Sequence, residues 1–325
     1  MNKKYETKSI VEAALISVII FLLMFMSSYV PLIASFVMPI PIAMLYLRHD
    51  KSVSILSIIV SGVLVSMFNN IFIGILSAII YGVTGITLGI CIKKKIKPIK
   101  TIFILGVVNL ITTILNLYVT VYIISGENIS IIIQQIIDMM KESLEVYSSI
   151  GIDITANPLY QIINNLTIES VMVIIPSGFI ISAILSAFFN YIISRSIFKK
   201  FKYELEPLPS FENWYLDARL GAIFIIIVCL SAMASSKELP YAKYIFTTVY
   251  NLLNFSVIIV GLSVIVYFLK NKLKMSKVPL IIIGILIVTS PIGGFLTILG
   301  FIDLIVDIRG VDPESLGNAI RRKMS

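Results

Sequence analysis

The sequence predicts an all-α fold, a polytopic transmembrane helical bundle of about eight spans with a C-terminal broken or re-entrant hairpin. Three observations predict it. Apolar runs long enough to cross a bilayer recur along the chain, since a helix rising 1.5 Å per residue needs about 20 residues to cross the hydrocarbon. Hydrophobic residues make up 58% and charged residues 14% of the 325, with a mean hydropathy of +0.99, which leaves too little polar surface to cover a water-soluble body of this size. Of the 26 Lys and Arg, all but Lys141, Lys237 and Lys243 fall on one side of the predicted spans. This positive-inside bias places the protein in the cell membrane with both termini cytoplasmic. It also accounts for the net charge of +8 without a nucleic-acid partner, because membrane lipid is the neighbour that such charge meets.

The spans follow in order. The first, residues 9–28, resembles a secretory signal at its basic start, yet no small-residue cleavage site follows and the run exceeds a signal core, so it is expected to be retained. Spans at 30–47, 52–70, 71–92, 101–125 and 167–194 complete a six-span bundle over 1–200. Its inner connections carry Arg48 and Lys51, then Lys93, Lys94, Lys95, Lys97 and Lys100, then Arg195, Lys199, Lys200 and Lys202. The second part, 201–325, opens with a cytoplasmic connector, Phe201 to Asp217, whose Pro207, Pro209 and four acids read as an exposed linker. Two further spans, 219–236 and 244–269, come next. The apolar stretch Pro279 to Val306 is broken by Ser290-Pro291-Ile292-Gly293-Gly294. It is too short for two crossings, which would need about 40 residues, and a proline break forbids one straight helix, hence the hairpin.

One outer connection, 127–165, differs from the rest. Gln134, Asp138, Lys141, Glu142 and Glu145 recur at helical spacing, opposite Ile129, Ile132, Ile133, Ile136, Met140, Leu144 and Tyr147. This is an amphipathic helix, and its acidic polar face favours a cap over the bundle rather than a lipid-charge anchor.

Small residues mark close helix packing. Gly74, Ala78, Gly82, Gly85 and Gly89 share one face of the fourth span, and Ser54, Ser57 and Ser61 one face of the third. Ala13, Ala14 and Ser17, beside Glu12 near the inner end of the first span, form a candidate patch for docking a membrane-protein partner, with internal packing as the competing explanation.

The candidate ligand site lies at the outer half of the fifth span. Asn109, Thr113, Asn116 and Thr120 follow i, i+4, i+7, i+11, and amides in hydrocarbon must face protein, water or ligand. Asn69 and Asn70, in the turn between spans three and four, and Asn164, Asn165 and Glu169, leading into span six, are expected at the same level. Together they suit a polar small molecule taken from outside. Hydrogen bonding between helices explains the same residues, and that alternative stays open here.

Catalytic groups are scarce. His49 is the single histidine and belongs to no HExxH pattern; Cys91 and Cys229 are separate; no Gly-rich phosphate loop ending in Lys and Ser/Thr occurs. The sequence therefore predicts no enzyme, no metal and no cofactor, and any ATP-driven uptake needs a separate energising subunit. Asp303 and Asp307 stand one turn apart before Arg309, a spacing open to cation binding or to pairing with Arg309.

With its early Pro31, Pro39 and Pro41, and the closing Leu299-Gly300-Phe301-Ile302-Asp303 followed by Asp307-Ile308-Arg309, the chain resembles the YybS-like bacterial membrane proteins, a domain-of-unknown-function family. The first six spans are also similar to the substrate-binding component of energy-coupling-factor vitamin transporters. That resemblance implies a six-helix bundle that binds vitamins or metals from outside and docks through small residues on its first helix, where Ala13, Ala14 and Ser17 stand here. The extra spans and the hairpin depart from that pattern. A rod-shape scaffold protein of the cell-wall machinery shares the arrangement. The resulting expectation is a membrane protein that binds or helps transport a small solute. The alternative is a non-enzymatic scaffold recruiting partners for envelope growth or sporulation.

Overall fold

The computed structural model describes residues 7–27, 29–30, 36–49, 51–149, 158–290, 293–315, 317–318 and 323. The described residues are helical and loop only, and seven of the helices are long and apolar enough to cross a membrane. They fall into two units, Met1–Val171 with Phe179–Leu208, and Met172–Gly178 with Pro209–Ser325.

In the first unit α1 (Thr7–Ser27), α3 (Lys51–Phe68) and α4 (Ile71–Lys93) are continuous spans. Only part of the expected second span lies among the described residues. Its described helix, α2 (Pro39–Arg48), has 10 residues, which cover about 15 Å and so half a bilayer; Pro31 and its neighbours through residue 35 lie outside the described residues. Pro39 sits where a helix needs no N–H. Ile40, Ile42, Ala43 and Leu45 are all buried, and α2 packs against α1, α3 and α4. Protein therefore surrounds much of this described part of the element.

The small-residue face of α4 divides its work. Gly74 lies so close to α3 that a Cβ there would collide with the Gly62 carbonyl and the Ser66 hydroxyl, and one at Gly85 would collide with Ile42 of α2. Internal packing thus accounts for the stripe. Near the N-terminal end of α1, Glu12 pairs with Arg48, the last residue of α2, and lies 3.2 Å from His49, which follows it.

α5 (Pro98–Tyr118) continues through the wider turns of Val119–Ile124, where the Ser125 N–H reaches back to the Thr120 carbonyl at 3.0 Å. α6 (Ile129–Ser149) is the amphipathic element; it packs against Val119–Ile124 and against α7 (Pro158–Asn164). Its inward residues are Ile133 and Ile137, whereas Ile136 and Met140 of the expected apolar face are exposed. The side chain of Tyr147 lies outside the described residues. α8 (Ile168–Lys200) is 33 residues long, about 50 Å, and starts at a reciprocal cap in which Thr167 and Ser170 exchange hydrogen bonds of 3.2 and 3.0 Å.

In the second unit the connector leads through a short turn, Phe211–Asn213, to α9 (Ala218–Ser236) and α10 (Ala242–Asn271), both of spanning length. α11 (Lys277–Thr289) and α12 (Gly293–Val306) are bent by 106° at the break, as the interrupted apolar run predicts. α12 lies against α10, so close that a Cβ at Gly261 would meet the Leu296 carbonyl.

Candidate functional site

The polar stripe of α5 winds from the interior to the surface. Asn109 is 8% exposed, Thr113 is half-buried, and Asn116 and Thr120 are exposed. Beyond Thr112 the helix has little cover, for Ile111, Ile114, Tyr118 and Tyr122 are exposed too. The Thr120 hydroxyl donates to Asn116 Oδ1 at 3.3 Å. The remaining expected members are exposed at helix ends: Asn69 and Asn70 between α3 and α4, Asn164 at the end of α7 and Asn165 after it, Glu169 in the first turn of α8. Asn70 caps α4 by accepting from the Phe72 N–H at 2.9 Å.

Asn109 alone of this set is buried. The Thr84 hydroxyl of α4 donates to its Oδ1 at 3.3 Å, and its Nδ2 has no hydrogen-bond partner. In either amide orientation Thr84 can satisfy one atom only, so the other stays unpaired. Asn190 Oδ1 and Ser194 Oγ, one turn apart on α8, are likewise buried without a partner. Three such groups in one helical unit are a liability, since an unpaired polar atom in an apolar setting costs on the order of 1–3 kcal/mol.

The expected docking patch does not form one surface. Ser17 is buried, its hydroxyl donating to the Ala13 carbonyl at 2.8 Å and its own carbonyl accepting from Ser61 at 2.9 Å. Ala13 is packed in the core beside α2 and α3, and only Ala14 is exposed.

A cavity of about 890 Å³ opens where α4 and α8 end. Both helices stop in the same way. After α4 the Ile96 N–H bonds to the Cys91 carbonyl and the Lys95 N–H to that of Ile92; after α8 the Tyr203 N–H bonds to Phe198 and the Lys202 N–H to Lys199. This closing motif needs a left-handed residue, usually glycine. Here it is lysine twice, Lys95 at φ 50° and Lys202 at φ 64°. Tyr203 seals the second end against the Phe198 ring, 5.9 Å away. The Tyr191 hydroxyl and Arg195 Nε then donate to the Glu206 and Leu205 carbonyls, at 2.7 and 3.2 Å, and hold the first part of the connector as a wall. The connector is therefore pinned rather than free.

In the second unit Arg309 organises the rest of that connector. Its side chain pairs with Asp303 at 2.8 Å and donates to the Glu212 carbonyl at 2.7 Å, the Trp214 carbonyl at 2.8 Å and the Ser263 hydroxyl. Asp307 departs from the expected shared face. It lies past the end of α12 at φ 48°, and it accepts from the Val311 and Asp312 N–H groups and from Asn318. Asp312 in turn accepts from the Ala218 N–H at the start of α9. Burial raises the Glu212 pKa, but the hydrogen bond from Lys270 and the nearby charges outweigh it and hold the carboxyl below its usual value. Burial, followed by Asp312, Asp217 and Asp307, pushes the Tyr215 phenol up. Among the described residues no group of three or more His, Cys, Asp or Glu could hold a metal ion.

The family model for DUF2232, described as a predicted membrane protein, matches residues 15–304. The chain belongs to this family. No curated protein and no solved structure matches it. The DUF2232 match takes in the buried Asn109, the basic cavity and Asp303, and it stops short of Arg309. Within this DUF2232 chain, three features were not read from sequence. Nothing in the spacing of Asn190 and Ser194 shows that both are buried without a partner. The cavity lysines were absorbed into the charge bias of the inner connections. The Arg309 lock was visible only as an ion-pair option with Asp303.

Proposed function

We propose that this multi-pass membrane protein is a non-enzymatic binding protein of the cell membrane. It takes a small polar solute into its first unit, in the manner of a transporter's substrate-binding component, with both termini on the cytoplasmic side. The observation that carries the reading is the unpaired Asn109 amide, 8% exposed and about 17 Å along α5 from Pro98 at 1.5 Å per residue. A polar atom at that depth is stabilised by a ligand that completes its hydrogen bonding. Thr84 supplies a second group at the same level. The basic inner connections support the orientation, and the likeness of the early spans to the energy-coupling-factor component supports the class.

The test is native mass spectrometry of the full chain, purified gently from its host membrane. A reproducible small-molecule adduct is expected in the wild type and not in Asn109→Leu, which keeps the branched side-chain skeleton and removes both polar atoms. An adduct that survives this substitution, or none at all, overturns the reading. Stable protein partners without an adduct would replace it with the scaffold.

A further inference from the structure

We infer that the cavity at the inner ends of α4 and α8 is a binding site for a phosphate-bearing anion. Lys93, Lys95, Arg195, Lys199 and Lys202 line it. Among the described residues none of the five lies within ion-pair distance of a carboxylate, although Glu204 and Glu206 belong to the same wall. The insertion bias accounts for lysines on this side of the membrane. It does not account for four lysines and an arginine converging from two helix ends on one concavity of about 890 Å³, within the size range of about 300–1,000 Å³ that holds small ligands.

The construction favours a multi-oxygen anion. Arg195 commits its Nε to the Leu205 carbonyl, which fixes the guanidinium plane and leaves its two terminal nitrogens for bidentate contact with phosphate. Lys95 and Lys202 line the cavity from left-handed turns that carry a lysine where glycine is the usual occupant. Leu47, Ile92 and Ile96 add an apolar wall. The rim stands where two spans end, the level of lipid headgroups, where basic pockets between helices take anionic heads. A phospholipid headgroup and a soluble phosphate share this chemistry.

The full chain in neutral detergent is titrated with phosphatidylglycerol, with phosphatidylcholine of the same acyl chains and with inorganic pyrophosphate, and occupancy is read by native mass spectrometry. At least one of the two anions is expected to bind at least ~10-fold more tightly than phosphatidylcholine, a difference that electrostatic contacts of this number can supply. That preference should fall at least ~10-fold in Arg195→Gln/Lys199→Gln and in Lys95→Gly/Lys202→Gly. The second pair suits the left-handed backbone, so its loss of binding cannot be ascribed to misfolding. Lys272→Gln/Lys274→Gln removes two charges from another inner connection and should leave binding unchanged. Phosphatidylglycerol that pyrophosphate cannot displace identifies a lipid headgroup; displacement, or pyrophosphate binding alone, identifies a soluble phosphate. Equal binding of anionic and zwitterionic lipid without pyrophosphate binding, or binding that survives the cavity substitutions, overturns the assignment.

Discussion

Arg309 closes on Asp303 from beyond the end of α12, with Nη2 2.8 Å from Oδ2 and the two side chains 0% and 2% exposed. The pair does more than neutralise itself. Arg309 Nη1 also donates to the Glu212 carbonyl and the Ser263 hydroxyl, and Nη2 to the Trp214 carbonyl, so one guanidinium joins α10, α12 and the Phe211–Asn213 turn.

Removing one partner should therefore be costly. Arg309→Met leaves the Asp303 carboxylate and the Glu212 carbonyl without their donor, and a loss of about 3–5 kcal/mol is expected for a buried pair broken this way. The double variant Arg309→Met/Asp303→Leu should recover much of it. Denaturant unfolding in detergent, followed by tryptophan fluorescence, reads both, because the single Trp214 sits at the lock.

The Glu212–Lys270 pair gives the second unit an acid-sensitive contribution. Glu212 has its folded pKa depressed, so the stabilisation is full above the unfolded pKa and is lost as pH falls through the folded one. Thermal unfolding from neutral pH downward should show stability dropping below the usual carboxylate range, and Glu212→Gln should flatten that slope. Lys270→Gln should act alike.

The approach of α3 to α4 predicts intolerance at Gly74. Gly74→Val places carbon where the Gly62 carbonyl and Ser66 hydroxyl stand, and overpacking of this kind costs typically about 1–3 kcal/mol. Gly178, with nothing within 4 Å of an added Cβ, should accept alanine without loss of melting temperature.

Lys95 and Lys202 make the opposite forecast. Each holds a left-handed conformation that costs a side-chain-bearing residue roughly 1–2 kcal/mol. Glycine at either position should raise stability by up to about 1 kcal/mol, offset in part by its greater freedom in the unfolded chain. A melting temperature that falls in both variants would contradict the helix-end geometry.

Period and charge made most of the architecture legible before any coordinates. A span announces itself through some twenty apolar residues, and the Ser290-to-Gly294 break announced the bend between α11 and α12. The apolar run of α2 did not reveal its protein neighbours, because burial in protein makes a helix as apolar as a crossing does. The inward face of α6 was misjudged for a related reason. Ile136 and Ile137 are both apolar, and only the neighbour decides which turns in. Of the ligand stripe, spacing marked Asn109 but could not tell it from Asn116, since depth of cover depends on helices far away in sequence. The shared closing motif of α4 and α8 was hidden because it lacks its glycine.

The Arg309 lock also bears on how the chain is made. The Glu212 carbonyl waits for a donor 97 residues further on, and α9, α10, α11 and α12 must all be synthesised and laid into the bilayer in between. Until then the turn that Arg309 will clamp lacks the donor that joins it to α10 and α12. This clamp can therefore close only after the helices of the second unit have been made, which places it late in the order of contacts.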